Sequence, residues 1–369
     1  MLDPGEESFL AVSQRLARRW PEALARAAVE QAILRRRARP KFPRAGEMFF
    51  LREALEQSTG HRVAAYHARR LSALRPQFDL GCGIGGDALA LAADGPVIAI
   101  DRDALRLQVL QANARSLGLE AQLHALQGDL LMPAWRLPPS AGVFADPARR
   151  RQGRRVHTAA GYDPPLNYLV GMAGGVAGLG VKVSPAIDRR ETIALGAEVE
   201  FVSDDGDLKE CMLWFGALRT ADSRATLLPG GHTLTGPEAP EQPTSPVRAY
   251  LFEPDPAVLR AGLVRRLAES IGAAQIDPQL ALLTGDRPLA SDFVSTYRVV
   301  DVMPFSEKAL RAELRRRGVG QVTLKKRGSA VDTEALGRRL RLKGEAAATV
   351  LLTRVVGRPL AIIVDPIAT

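Results

Sequence analysis

The stretch Gln77-Phe-Asp-Leu-Gly-Cys-Gly-Ile-Gly-Gly-Asp87 decides how this chain is read. Its apolar start predicts a buried strand, its glycines a loop, and the run Asp87-Ala-Leu-Ala-Leu-Ala-Ala93 that follows a helix. A second strand, Pro96-Val-Ile-Ala-Ile100, then ends at Asp101. Glycines at 81, 83, 85 and 86 permit positive φ and carry no Cβ to keep a ligand off the backbone. The helix they open offers free N–H groups and the positive end of its dipole to an anionic group. Asp101, 20 residues past Gly81, is where an acidic side chain accepts two ribose hydroxyls. Together these residues imply a nucleoside-type cofactor.

Gly81, Gly83 and Gly86 also satisfy the G-x-G-x-x-G spacing of dinucleotide sites, so the loop alone leaves two cofactors open. Three further acids favour S-adenosylmethionine. Asp79 lies two residues before the first glycine, where a carboxylate receives the methionine ammonium group. Ala125-Leu-Gln-Gly-Asp129 ends a third strand with an acid suited to the adenine amino group. Ala141-Gly-Val-Phe-Ala-Asp146-Pro147 ends a fourth with an Asp-Pro pair aimed at the methyl-transfer site. Any one of these acids reads equally as a strand-end or N-cap residue, but all four in this order do not. Here the chain resembles class I S-adenosylmethionine-dependent methyltransferases, with Gly81, Gly83 and Gly85 shaping the cofactor pocket.

Bulk properties predict a soluble cytoplasmic enzyme. The 369 residues suffice for two or three domains, each with its own core. No apolar run approaches the roughly 20 residues of a membrane span, and the N-terminus lacks a secretory apolar segment. Two cysteines, Cys82 and Cys211, make neither a disulfide framework nor a zinc site. No metal is expected: His61 and His67 are six apart in a helical segment, off a common face. Asp204-Asp205-Gly206-Asp207 lacks the bidentate acid a calcium loop needs and reads as a tight turn. The net charge of +9 is discounted, because arginine dominates lysine as a GC-rich genome would dictate. Distribution says more: residues 301–344 hold twelve Lys/Arg against five Asp/Glu, and four of the chain's seven lysines. That segment reads either as a solvated helix face or as a surface that tracks phosphates.

Organisation follows from the periodicities. Residues 1–74 read as a helical N-terminal region, with one helix over Leu10–Ala38, another from Glu47 and a third over His61–Leu74. Residues 75–219 alternate strand and helix, giving an α/β fold with a seven-stranded Rossmann-like sheet. Residues 220–296 read as a linker and connecting helical segment, on Leu228-Pro-Gly-Gly and Pro240, Pro243 and Pro246. Residues 297–369 form a small C-terminal α+β domain, with Ser306 as a helix N-cap and a closing hairpin around Gly357-Arg358.

The cofactor loop, Asp146-Pro-Ala-Arg-Arg150, Val181-Lys-Val-Ser-Pro185 and the basic αβ tail together resemble a bacterial methyltransferase family with a C-terminal THUMP-like domain. The loop is also similar to that of trimethylguanosine synthases and related RNA guanine methyltransferases. The resemblance implies an RNA substrate, tRNA or rRNA, held by the tail through Lys325, Lys326 and Arg327.

Relatives that methylate exocyclic amines carry an aromatic after Asp/Asn-Pro-Pro to stack on the flipped base. Here Ala148 replaces the second proline and Arg149 the aromatic. Asp146 with Pro147 is the candidate for orienting the acceptor, and Arg149 and Arg150 for gripping substrate phosphate or stacking on a base. Lys182, at the end of the fifth strand, is a candidate for binding phosphate or a substrate carbonyl, and equally for a buried ion pair. Tyr162 and Tyr168 read as core packing before stacking. Pyrimidine C5 chemistry needs a cysteine nucleophile, and neither Cys82 nor Cys211 is placed for it.

The function expected is therefore S-adenosylmethionine-dependent methylation of a base nitrogen in structured RNA. The alternatives are a cofactor-bound RNA-binding or assembly factor without catalysis, and a methyltransferase acting on protein or a small molecule.

Overall fold

The structure, a computed structural model, describes residues 5–133, 136–149 and 161–367. The chain divides into two compact units, Met1–Asp204 with Glu210–Thr220, and Asp205–Lys209 with Ala221–Thr369. No helix of the described residues is long and apolar enough to cross a membrane.

The first unit opens with α1 (Phe9–Ala17), α2 (Glu22–Ala38), α3 (Arg52–Gln57) and α4 (His61–Leu71). Pro21 divides what periodicity reads as one helix over Leu10–Ala38. The helix expected from Glu47 begins only at Arg52, because the backbone before it is bonded from both sides. The Gln31 amide pairs with Phe50 N and O (2.9 and 2.7 Å), and the Asn113 amide with Phe49 N and O (2.6 and 3.1 Å). Two side-chain amides thus stand in for a neighbouring strand and hold the segment extended.

Then come β1 (Gln77–Leu80), α5 (Gly86–Asp94), β2 (Val97–Asp101), α6 (Ala104–Leu117), β3 (Leu123–Gln127) and β4 (Gly142–Ala145). The short pair β5 (Ala148–Arg149) and β6 (Tyr162–Asp163) precedes α7 (Leu166–Gly171), β7 (Gly178–Val183), α8 (Arg189–Ile193), β8 (Glu198–Asp204) and β9 (Asp207–Gly216). Within the sheet these strands run β8-β9-β7-β4-β1-β2-β3. The neighbours β3, β2, β1, β4 and β7 are parallel, and β9 is antiparallel to β7. Near-continuous apolar strands such as Val143-Phe-Ala and Cys211–Phe215 fit a sheet covered on both faces. The order reverses at β1/β4, so the tips of these two strands open a crevice where such sheets bind ligands.

Helix α4 is part of this sheet's core. Tyr66 donates to Glu200 Oε1 (2.5 Å), Trp214 Nε1 donates to Glu200 Oε2 (2.6 Å), and the Arg70 guanidinium meets Glu198 (3.1 Å) while stacking on Trp214. Buried carboxylates on β8 are tolerable because each is hydrogen-bonded and faced by a cation.

The second unit holds β10 (Ser223–Leu228), β11 (His232–Gly236), β12 (Tyr250–Pro254), α9 (Pro256–Arg260), α10 (Val264–Ile271), β13 (Ala274–Gln275) and β14 (Leu283–Gly285). It ends with β15 (Val294–Pro304), α11 (Glu307–Arg316), β16 (Val319–Lys326), α12 (Thr333–Leu340), β17 (Ala346–Val355) and β18 (Arg358–Ile367). Its sheet runs β13-β14-β12-β15-β18-β17-β16. Where composition suggests a linker and a helical segment over 220–296, the structure has α9 and α10, the antiparallel pair β10 and β11, and β12, β13 and β14 of this sheet; the strands' shortness and the prolines around them hide the alternation. Along β17, Val350 and Leu352 face Leu310, Leu314, Leu336 and Leu340 of α11 and α12, whereas Leu351 joins Ile362, Val364 and Tyr297 on the other face. That is the period-two alternation of a strand buried on both sides, each large side chain contributing about 1.5–3 kcal/mol. Ser306 and Asp332 cap α11 and α12.

Candidate active site

The glycine loop is fixed by close approaches that side chains would prevent. Gly81, at φ +84°, lies so close to β4 that a Cβ would sit 2.7 Å from Asp146 O. The Asp146 N–H donates to Leu80 O (3.0 Å), so the tips of β1 and β4 are joined twice. Gly83 and Gly85 also have positive φ (+56° and +99°). Gly86 has an ordinary φ, but a Cβ there would stand 3.0 Å from both Thr59 N and Thr59 O. The turn between α3 and α4 is thereby seated on the loop. Lys41 Nζ holds that turn in place through Leu55 O, Glu56 O and Ser58 O (2.8, 3.0 and 3.0 Å).

Four of the acids singled out from sequence end adjacent strands. Both Asp79 carboxylate oxygens are buried without a hydrogen-bond partner among the described residues. Burial, reinforced by Asp87, Asp146 and Asp101 nearby, pushes the Asp79 carboxyl well above the usual range. Asp101 accepts from Gly83 N (2.8 Å) and from Asp103 N (2.9 Å), bracing the loop and the start of α6, and each oxygen retains acceptor capacity. Asp129 is exposed just past β3 and accepts from Leu131 N (2.9 Å). Asp146 ends β4, with Pro147 buried after it.

Lys182 does not extend into open space. Its Nζ, on the strand next to Asp146, lies 2.7 Å from Asp146 Oδ2 and donates to Thr59 Oγ1 at 2.9 Å. Burial works against its charge, but Asp146, Asp87 and Glu210 more than compensate and raise the ammonium's pKa. From Thr59 the contacts run inward. Thr59 Oγ1 donates to Asp87 Oδ2 (2.5 Å), His67 Nδ1 meets Asp87 Oδ1 (2.7 Å), and His67 Nε2 lies 2.5 Å from Glu210 Oε1. Burial opposes protonation of His67, yet Glu210 and Asp87 push it up to about 10, so the imidazolium is the neutral-pH form. Burial raises and His67 lowers the Asp87 carboxyl, the net shift being downward. For Asp146, burial outweighs Lys182 and leaves the carboxyl raised. Its side chain remains 33% exposed, so it has access to solvent.

Sequence reasoning missed Thr59, Asp87, His67 and Glu210 as site residues. In the sequence His67 stands out only beside His61, and its partners come from elements 20 or more residues away. Tyr162 and Tyr168 are structural: Tyr162 OH accepts from Ser184 N (2.7 Å) and Tyr168 OH donates to Leu130 O (2.6 Å). Cys82 is buried, and burial raises its thiol well above the usual range. Arg150 lies outside the described residues, as does the side chain of Arg149. In the second unit Lys325 and Arg327 converge on the buried carboxylate of Glu253, Lys325 at 3.3 Å and also on Tyr297 OH at 2.6 Å. Lys326 alternates to the other face of β16 and is exposed.

Comparison with known proteins agrees with this geometry. Residues 75–154 match a family described as RNA cap guanine-N2 methyltransferase, and residues 294–366 a family described as THUMP domain-like. An uncharacterized S-adenosylmethionine-dependent methyltransferase of Mycobacterium tuberculosis (strain CDC 1551 / Oshkosh) is 37% identical over 339 residues, 89% of this chain and 92% of its own length. Its counterpart in strain ATCC 25618 / H37Rv matches equally. A crystal structure from Porphyromonas gingivalis W83, described as that of a methyltransferase, superposes over the whole of both chains with a TM-score of 0.74 at 20% identity, which shows a shared fold. The residues fit S-adenosylmethionine. The Asp79 carboxylate, without a hydrogen-bond partner among the described residues, suits an ammonium group, and the loop at Gly81, Gly83 and Gly85 lets a ligand reach the backbone.

Proposed function

We propose that this chain, which belongs to the family of S-adenosylmethionine-dependent methyltransferases, methylates a base nitrogen in structured RNA, the exocyclic amine of guanine in tRNA or rRNA. The observation that carries this reading is the pair of acids on adjacent strands. Asp79 has both oxygens buried and without a hydrogen-bond partner among the described residues, while Asp146 is partly exposed and has one oxygen taken by Lys182. The match of residues 75–154 to a guanine-N2 family and of residues 294–366 to a THUMP-like family supports RNA over protein or a small molecule.

In this reading Asp79, Asp101 and Asp129 hold the methionine, ribose and adenine parts of the cofactor. When bound, S-adenosylmethionine supplies an electrophilic sulfonium methyl that an amine lone pair takes as the carbon–sulfur pair returns to sulfur. Asp146 accepts a hydrogen bond from the acceptor NH₂ and turns its lone pair toward that methyl, an effect of alignment. As nitrogen gains positive charge its N–H becomes acidic, and Asp146 receives the proton and passes it to solvent through its exposed edge. Pro147 stiffens the backbone behind that carboxylate, and Arg149 and Arg150 contact the substrate's phosphates. In the second unit Lys326 contributes to RNA binding, with Lys325 and Arg327 beside it.

The test is transfer of radiolabelled methyl from S-adenosylmethionine to total RNA and to protein extract from a deletion strain, with Asp146→Ala as control. Label in RNA that maps to N2-methylguanosine and disappears with Asp146→Ala is expected. Label in protein alone, or RNA label indifferent to the substitution, overturns the reading.

A further inference from the structure

A connected row of five side chains stands behind Asp146, and the reaction as described uses only the first of them. Lys182 donates to Thr59, Thr59 donates to Asp87, and Asp87 faces His67, which in turn faces Glu210. The members come from β7, the α3–α4 turn, α5, α4 and β9, all within the first unit. The charges alternate along the row, from the Asp146 carboxylate through ammonium, carboxylate and imidazolium to the carboxylate of Glu210. Only Thr59 is neutral. A hydroxyl carries one proton, so by accepting from Lys182 it is directed to donate to Asp87; the contact has one sense.

We propose that Thr59, backed by Asp87, His67 and Glu210, is a positioning residue that holds the Lys182 ammonium on Asp146 Oδ2 and so fixes how that carboxylate is presented to the acceptor amine. This deepens the methyl-transfer reading above and rests on it for the identity of the acceptor. Two independent features support it. The Thr59 backbone is pressed against Gly86 of the cofactor loop, at a distance that a Cβ there would make 3.0 Å. The turn is also tied by three Lys41 hydrogen bonds, so the Thr59 hydroxyl has little freedom. Lysine alone has a flexible four-carbon stem and a compact charge, and without a second anchor it would not hold one carboxylate oxygen in a single orientation. The helical N-terminal region thereby completes the reaction site.

Among the described residues, the groups facing Asp146 are Lys182 on β7, Asp79 on β1, Asp87 on α5 and Glu210 on β9. Of these only Lys182 lowers its carboxyl pKa, so loosening Lys182 moves its titration upward and moves the acid limb of kcat upward with it.

The experiment compares wild type with Thr59→Val, Thr59→Ala and Thr59→Ser by carbon-13 NMR titration of the Asp146 carboxyl, assigned with Asp146→Asn. Thr59→Val and Thr59→Ala are expected to raise its titration by about one pH unit or more, and Thr59→Ser to restore it. S-adenosylmethionine affinity, measured by calorimetry, reports that the pocket is intact. On RNA, kcat should fall about tenfold with KM little changed, recovering in Thr59→Ser. Unmoved titration in a variant that binds the cofactor normally overturns the proposal. Should wild type label no RNA, the substrate reading fails, and the NMR titration still decides the positioning role.

Discussion

Lys182 and Asp146 face each other across adjacent parallel strands, Nζ to Oδ2 at 2.7 Å, in the register that pairs Val181 with Ala145. The ion pair is thus set by the sheet itself. Two buried or half-buried groups in such a contact are costly to separate, because the remaining charge has no substitute partner.

Replacing Lys182 by Met keeps the length of the stem and removes the charge. It is expected to cost on the order of 3 kcal/mol of stability and to reduce kcat about 100-fold or more, since Asp146 then titrates at higher pH. Denaturant unfolding together with a pH–rate profile checks this, and a kcat within threefold of wild type would contradict it.

Asp79→Asn should separate binding from stability. Burial and the neighbouring Asp87, Asp146 and Asp101 outweigh what the carboxylate gains from Lys182 in the ligand-free protein. Its raised folded pKa means that it favours the folded state below the unfolded Asp value and loses this contribution as pH rises through the folded value. The variant should therefore be as stable as wild type or more so at pH 8 without ligand. It should bind S-adenosylmethionine about 10–100-fold more weakly, the loss of a charge-assisted contact. Thermal shift with and without cofactor measures both.

His67 gives a pH dependence of opposite origin. With a folded pKa near 10, its contribution is complete below the unfolded value of 6.5 and is lost as pH rises toward 10. Wild type should lose more stability between pH 6.5 and 10 than His67→Gln does. The variant itself should be destabilised by about 3 kcal/mol at pH 6.5, where Asp87 and Glu210 lose their shared cation. Equilibrium unfolding at the two pH values decides it.

The basic tail divides into two kinds of cation. Lys325→Glu places a second negative group beside Glu253 and removes the cation that meets Tyr297, and should cost the second unit about 1–3 kcal/mol. Lys326→Glu, at an exposed position, should change stability by under about 0.5 kcal/mol. It should also weaken RNA binding and reduce the magnitude of the salt slope by about one. Filter binding across a salt series with unfolding controls distinguishes the two.

The glycine loop and the strand ends were legible because their signals are local. Gly81 and Gly85 stand where φ is positive, and Asp79, Asp101 and Asp146 end strands whose apolar runs are contiguous. The α/β class follows from the alternation of strand and helix. What composition does not display is convergence. Lys182 and Thr59 are 123 positions apart, and nothing near either residue announces the other. The helix start at Arg52 was hidden for the same reason, since the competitors for the 49–50 backbone are amides on α2 and α6. Over 220–296 the signal was present but drowned, with β13 only two residues long and β12 ending on Pro254.

The seating of α4 against β8 and β9 constrains how the protein is made. Tyr66 waits for Glu200, 134 positions later, and His67 for Glu210. At about 5–20 residues per second of synthesis, the ribosome needs on the order of ten seconds to deliver those partners. During that interval Tyr66 and the Nε2 side of the buried-to-be His67 lack their carboxylate partners, although Asp87, 20 positions on, already meets Nδ1. The first unit is complete only when β9 has emerged, so its folding finishes on its latest strands. A nascent chain halted before Trp214 should therefore remain open to protease across α4, although that helix was among the first segments to leave the exit tunnel.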